Sequence, residues 1–152
     1  MELVVFYALT FLGTPYAWGG EGTTKAPGYD CSGFIQKVLS KFGADPELDQ
    51  SAQALYRHFK KDQDSKFVLE KGSLLFFGTR RKIVHVALAI DKNNMIESGG
   101  GGFRTRSTQR ALIENALVRI RPIRSRKDFV AAILPYYPLA FPVKILLKRP
   151  VK

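Results

Sequence analysis

The segment YDCSGFIQKVLSKFG, residues 29–43, has the clearest structural pattern in the chain and contains its single cysteine. Its apolar residues recur at helical spacing, and its terminal glycine is typical of a helix C-terminus. Asp30 lies where an N-cap residue belongs. The pattern therefore predicts a buried helix with Cys31 in its first turn. The oriented N–H groups of a first turn stabilise a thiolate, so this position suits a nucleophile.

The rest of the chain divides into short helical and extended segments. We expect a buried first helix in ELVVFYALTFLG, a glycine-rich loop over 16–29, and a second amphipathic helix over 51–61. ELVVFYALTFLG lacks the basic region and cleavage site of a signal peptide and is too short to span a bilayer. The strands are predicted at 74–77, 83–90, from 95 onwards, at 117–123 and at 129–134.

Three other segments are expected to be irregular. Residues 91–94, DKNN, suit a hairpin turn, and residues 98–102 contain too much glycine for regular structure. Prolines recur beyond Pro135, which predicts an extended tail on the surface. We therefore expect one domain over residues 1–135 and a basic, proline-containing tail over residues 136–152.

Charge is the one feature of the composition that departs from the average. The 152 residues include 24 Lys and Arg against 13 Asp and Glu, a net charge of +11. An anionic partner is therefore expected, and nucleic acid, anionic cell-wall polymer and acidic lipid fit equally well. One cysteine excludes an internal disulfide and, with two histidines, disfavours a protein-built zinc site. No metal or other cofactor is expected. Eight of the cations lie late in the chain: Arg104, Arg106, Arg110, Arg119, Arg121, Arg124, Arg126 and Lys127.

A cysteine nucleophile needs a base and a group that orients the base. His85 lies in a predicted strand between two valines, which would hold its ring in a fixed orientation. Glu97, in the next strand, is the nearest suitable acceptor by register. Each residue also has an ordinary structural interpretation: a lone cysteine is more often a small buried hydrophobic residue, and a lone strand histidine more often belongs to the core. His58 is expected to be a solvated helix residue.

Five motifs in order resemble the NlpC family of papain-like cell-wall endopeptidases. They are TPYAWGG, YDCSGF, KGSLLFFG, VHVALAI and MIESGG, which begin at residues 14, 29, 71, 84 and 95. The resemblance implies an α+β, papain-like fold in which a nucleophile-bearing helix packs on an antiparallel β-sheet. It also implies Cys31 as nucleophile, His85 as base and Glu97 in the orienting position.

The same resemblance implies a substrate. Members of this family cut amide bonds in peptidoglycan stem peptides, often between D-glutamate and a diamino acid. Tyr16 would line the cleft, and Asp30 and Ser32 would flank the nucleophile and help bind the amino end of a stem peptide. The orienting position is often His in this family, so Glu97 is a departure that places a carboxylate beside the imidazole. Ser73, where the family usually has Asp, is expected to affect only a turn.

Other functions remain open at this point. The same site could serve an amidase that cuts the sugar–peptide bond, or a lipid acyl hydrolase or acyltransferase. A non-catalytic module that binds an anionic polymer would rely on the basic residues, among which Arg104, Arg106 and Arg110 are the proposed contacts with anionic wall polymer. Activity on the wall predicts action at the cell envelope, reached by phage-encoded delivery, by specialised secretion or after removal of a leader.

Overall fold

The computed structural model describes residues 1–23 and 27–140 of the chain. Within them three helices come first and five strands follow, with one short helix between the third and fourth strands, an order typical of an α+β protein. The helices are α1 (Glu2–Leu9), α2 (Cys31–Lys41), α3 (Ala52–Lys61) and α4 (Thr108–Ile113), with a single 3₁₀ turn at Ile123–Ser125. The strands are β1 (Leu74–Gly78), β2 (Ile83–Ala89), β3 (Asn94–Gly99), β4 (Leu117–Pro122) and β5 (Phe129–Ile133).

The five strands form one sheet in the order β4-β3-β2-β1-β5, and every neighbouring pair is antiparallel. Helices α2 and α3 pack on the sheet at its middle strand, β2, and α2 also contacts β3. The main apolar core lies between these helices and the sheet. The predicted α+β fold, with a nucleophile-bearing helix on an antiparallel sheet, is confirmed.

Local sequence signals place α2 and α3 within a residue or two of their observed bounds. Asp30 caps α2 by accepting a hydrogen bond from the Gly33 N–H, and Ser51 caps α3 by accepting one from the Ala54 N–H. Such caps satisfy donors that the first turn of a helix leaves without partners. Both helices then bury one apolar face against β2, which explains why helical spacing predicts them well.

Helix α1 differs from the expectation of a buried helix. Val4, Val5 and Ala8 are buried, but Leu3 and Phe6 are exposed, Phe6 to 68%. Only one face of this eight-residue helix meets the core. Its sequence is apolar on every side and gives no amphipathic signal, so the sequence does not show which face is exposed. No helix in residues 1–23 and 27–140 is long and apolar enough to cross a membrane.

Two further differences concern segments rich in glycine or charge. β3 continues through Ser98 and Gly99, although residues 98–102 were expected to be irregular. The Ser98 hydroxyl donates to the carbonyl of Tyr29 at 2.6 Å, and both residues pair with β4, which holds them extended. Helix α4 has no counterpart among the predicted elements, since its six residues are too few to show a helical period.

Part of the C-terminal segment, within the residues that the structure describes, packs in the core. Tyr137 is 1% exposed, packs edge-on against Phe42, and donates a hydrogen bond to the Gly72 carbonyl at 2.8 Å. The expectation of a surface tail from residue 136 is therefore wrong for Tyr137, because its ring packs in the core and its hydroxyl finds a backbone acceptor there. The rest of the predicted tail, residues 141–152, lies outside the described residues.

Candidate active site

The first turn of α2 is fixed by a single carboxylate. One oxygen of Asp30 accepts from the Gly33 N–H at 2.7 Å and from the Ser32 hydroxyl at 3.1 Å. The other oxygen accepts from the N–H of Gly19 at 3.1 Å. Asp30 thus ties the glycine-rich loop to the start of the helix, and this arrangement sets the position of Cys31, the first residue of α2.

Close backbone packing in the same region requires glycine. A Cβ atom added to Gly33 would lie 2.2 Å from the carbonyl oxygen of Gly20, which is too close for any real contact. The glycine of the YDCSGF motif therefore allows the loop to pass directly across the first turn of the helix. The partly exposed Cys31 is presented at this junction.

The histidine and glutamate come from the sheet. His85 lies in β2 and Glu97 in β3, and both side chains are buried. His85 Nε2 is 2.7 Å from Glu97 Oε2, and Cys31 borders the same cleft, near enough to the imidazole to raise its pKa. Since Nε2 faces Glu97, the other ring nitrogen, Nδ1, is the one left for the thiol. The structure thus brings the three predicted residues together in one chain of contacts.

The electrostatic surroundings of His85 and Glu97 favour the charged form of each side chain. Burial lowers the pKa of His85, but the electrostatic interactions of the imidazole with Cys31 and Glu97 outweigh this effect and raise the pKa to about 9. Burial raises the pKa of Glu97, but its hydrogen bond to His85 and the neighbouring positive charges hold that pKa well below its usual range. At neutral pH the imidazole is therefore protonated and the Glu97 carboxylate ionised.

Two arginines complete the surroundings of Glu97 and were not predicted to lie there. Arg119 Nε is 3.3 Å, and Arg121 Nη1 3.5 Å, from the same oxygen, Glu97 Oε1. Glu97 pairs directly with Arg119 across β3 and β4, and Arg121 follows two residues later on the same face. Alternation of apolar residues and arginine in LVRIRP was the available signal, but only the strand register shows that these arginines meet Glu97.

These side chains border a cleft of about 330 Å³. Its walls are formed by Tyr16, Cys31, Val84, His85, Glu97, Gly99, Gly100, Gly101, Arg119, Arg121 and Arg126. Three larger cavities, of about 440, 590 and 380 Å³, contain neither Cys31 nor His85, so volume does not identify the reactive site. The smaller cleft is identified as the reactive site because it contains Cys31 and His85.

Tyr16 lines this cleft as the sequence predicts. Burial, with the nearby Cys31 and Asp30, raises the pKa of its hydroxyl, which therefore stays protonated and can donate a hydrogen bond. A Cβ atom at Gly101 would lie 2.4 Å from the Tyr16 ring, so the glycine-rich segment after β3 can close against this ring. Residues 99–101 thus form the rim of the cleft.

The other residues predicted to contact substrate or polymer lie outside the cleft. Asp30 and Ser32 adjoin the nucleophile but do not border the cleft. Arg104 and Arg106 are exposed, the first over the Phe103 ring and the second bonded to the Phe103 carbonyl. The exposed Arg110 pairs with Glu114 at 2.5 Å. The three arginines proposed for polymer binding are therefore separate from Arg119, Arg121 and Arg126, which line the cleft.

Two curated relatives resemble the chain over more than half of its length. The first, "Bifunctional muramidase/DL-endopeptidase CwlT" of Bacillus subtilis (strain 168), is 33% identical over 106 residues, covering 68% of this chain and 30% of that protein. The second, "Gamma-D-glutamyl-L-lysine dipeptidyl-peptidase" of Bacillus cereus (strain ATCC 10987 / NRS 248), is 35% identical over 91 residues, covering 58% of this chain and 25% of that protein. The matched region thus spans less than a third of either relative.

A solved structure matches the fold over almost its whole length. It is the NlpC/p60 domain of the peptidoglycan hydrolase SagA, with a TM-score of 0.58 and 26% sequence identity, over 86% of this chain and 94% of that chain. The NlpC/P60 family model matches residues 13–122, a range that includes Cys31, His85 and Glu97. From this match over most of its length, the chain belongs to the NlpC/P60 family.

Proposed function

We propose that the chain is a cysteine endopeptidase that hydrolyses amide bonds in peptidoglycan stem peptides, of the type between D-glutamate and a diamino acid. The observation that carries the proposal is the contact of Cys31, His85 and Glu97 within one cleft. The names of the two relatives, a DL-endopeptidase and a γ-D-glutamyl-L-lysine dipeptidyl-peptidase, support the bond type.

The proposed mechanism is acyl transfer through a thioester. The Cys31 thiolate attacks the scissile carbonyl carbon and forms the C–S bond, while the backbone N–H of Cys31 donates to the developing oxyanion. His85 gives its proton to the leaving amine as the C–N bond breaks. Water then attacks the thioester, His85 accepts the water proton, and the thiolate leaves with release of the new carboxylic acid. Glu97 stabilises the imidazolium and fixes its orientation.

Binding of the stem peptide is assigned to residues on both sides of the nucleophile. Tyr16 donates a hydrogen bond from within the cleft. Asp30 and Ser32 bind the amino end of the stem peptide, a role for which the Asp30 oxygen that faces Gly19 has acceptor capacity left. The protein acts at the cell envelope, and its surface arginines Arg104 and Arg106 contribute attraction to anionic wall polymer.

The test is digestion of purified peptidoglycan, followed by mass analysis of the muropeptides. Wild-type protein should release truncated stem peptides, and Cys31→Ala should release none while keeping the circular dichroism spectrum of the folded protein. Full activity of Cys31→Ala would refute the mechanism. Intact, sugar-free stem peptides from the wild type would instead indicate an amidase.

The two histidines provide a matched pair of variants. His85→Ala removes the proposed base and should lower the rate by about 10⁴-fold or more, by analogy with the loss of a single triad member. His58→Ala removes an exposed ring on α3 and should leave the rate unchanged. Equal losses in the two variants would mean that the effect of His85→Ala is not specific to the site.

A further inference from the structure

The side of the cleft formed by the sheet carries more positive charge than catalysis by Cys31, His85 and Glu97 requires. Arg119, Arg121 and Arg126 all border the cleft, and Glu97 is the one acidic residue among its lining residues in the described ranges. Arg126 is neutralised, because its Nε and Nη2 atoms bind both carboxylate oxygens of Asp128 and its guanidinium lies over the Phe77 ring. The remaining charge belongs to Arg119 and Arg121.

One carboxylate serves these two guanidiniums. Glu97 Oε2 is taken by His85, so both arginines share Oε1, each through one nitrogen and at the long distances of 3.3 and 3.5 Å. Glu97 is therefore the one carboxylate of the cleft lining that opposes the two guanidiniums. The pair therefore carries about one uncompensated charge at the cleft.

Both guanidiniums also keep donors that can reach a ligand. Arg119 uses one further nitrogen on the Asn115 carbonyl at 3.4 Å, whereas the hydrogen bonds of Arg121 within the described ranges go to Glu97 alone. An arginine has five N–H donors in a planar fork that matches a carboxylate. The two side chains are 25% and 35% exposed, so they are positioned by packing and remain open to the cleft.

We infer that Arg119 and Arg121 form a specificity subsite for a free carboxylate on a residue beside the scissile bond. The inference rests on the proposed function, and it adds the charge that the substrate must carry. A γ-linked glutamyl residue is joined through its side-chain carboxyl and therefore keeps its α-carboxylate free, a few bonds from the reacting carbonyl. The diamino residue that follows is the other source of a carboxylate.

Binding to the Cys31→Ala protein tests the subsite without cleavage. The probes are three synthetic peptides: L-Ala-γ-D-Glu-L-Lys, the same peptide with the glutamyl α-carboxylate as a carboxamide, and the same peptide with the lysine carboxylate as a carboxamide. Loss of the relevant carboxylate should weaken binding at least about tenfold, because hydrogen bonds between charged groups are the strong ones. The amide that loses affinity identifies the source.

Arginine variants in the Cys31→Ala background show which arginine causes the preference for a carboxylate. Arg121→Gln and Arg119→Gln should bring the affinity ratio of carboxylate to carboxamide peptide near one, and Arg121→Lys should keep part of it. Arg126→Gln is the matched control, since its charge is already bound by Asp128, and should keep the full ratio. Taking the ratio between peptides removes any general effect of disturbing Glu97.

The outcomes separate the two proposals. Equal binding of all three peptides to Cys31→Ala, or a ratio that survives in both glutamine variants, overturns the carboxylate subsite. A wild-type protein that binds the carboxylate peptide selectively but cleaves none of the three overturns the proposed endopeptidase activity and leaves the subsite supported.

Discussion

The two walls of the cleft are built by different kinds of interaction. The helix wall presents Cys31 through the Asp30 cap and the packing of Gly33 against Gly20, which all lie in one continuous stretch of the chain. The sheet wall holds His85 and Glu97 through strand register and charge, with arginines from β4 completing it. Thus the nucleophile is positioned by local structure, while the groups that control its proton are positioned by tertiary structure.

Substituting Glu97 by glutamine weakens the sheet wall and should give the largest effect after loss of the nucleophile or of the base. Glu97→Gln keeps the shape of the side chain but removes the charge opposite the imidazolium and leaves Arg119 and Arg121 without a counter-charge. We expect kcat/KM to fall by about 10²- to 10⁴-fold, as when the acid of a catalytic triad is neutralised. Initial rates on a soluble stem peptide measure the fall.

The pH profile shows whether charge is the cause. His85 must be protonated to supply the leaving amine, so wild-type activity should decline as the pH rises through about 9, the raised pKa of the imidazole. Glu97 helps to raise that pKa; without its charge the decline should begin at lower pH. Glu114→Gln is the matched control, because Glu114 binds Arg110 outside the cleft. An unmoved alkaline limb in Glu97→Gln contradicts this account.

The contrast between the walls also explains what the sequence could predict. A cap followed by apolar residues at helical spacing is a local pattern, so α2 and the position of Cys31 follow from about fifteen residues. The pairing of Glu97 with Arg119 depends on the register between β3 and β4, and the intervening α4 gives no periodic signal of its own. A count of late arginines therefore suggested one basic surface where the fold makes two separate groups.

Removing the cap of α2 tests the helix wall and should have an intermediate effect. Asp30→Ala loses the acceptor for Gly33, Ser32 and Gly19, so we expect the free energy of unfolding to fall by about 1–2 kcal/mol and the activity to fall with it. Urea denaturation and initial rates measure the two losses.

An equivalent cap away from the nucleophile separates stability from positioning. Ser51→Ala removes the N-cap of α3 and should cost about 1 kcal/mol of stability without a change in activity. Asp30→Asn keeps the capping oxygen and should stay near wild-type stability. If Asp30→Ala and Ser51→Ala affect activity equally, the Asp30 cap does not position Cys31.

The smallest effect is expected at the arginines that belong to neither wall. Arg104→Ser with Arg106→Ser removes two exposed charges and should weaken binding to purified cell wall about twofold to fivefold at low salt, and less at high salt, because exposed charges are strongly screened. Rates on a soluble stem peptide should not change.

The matched control for this pair is Arg80→Ser with Arg81→Ser, which removes the same charge from the β1–β2 turn beside α3. If wall binding follows net charge alone, both double variants weaken it equally, and the segment around Arg104 has no particular role. If only the first pair weakens binding, attraction to the wall is local to that segment. Unchanged binding in both pairs at low salt would leave the cleft arginines as the ones that matter for substrate.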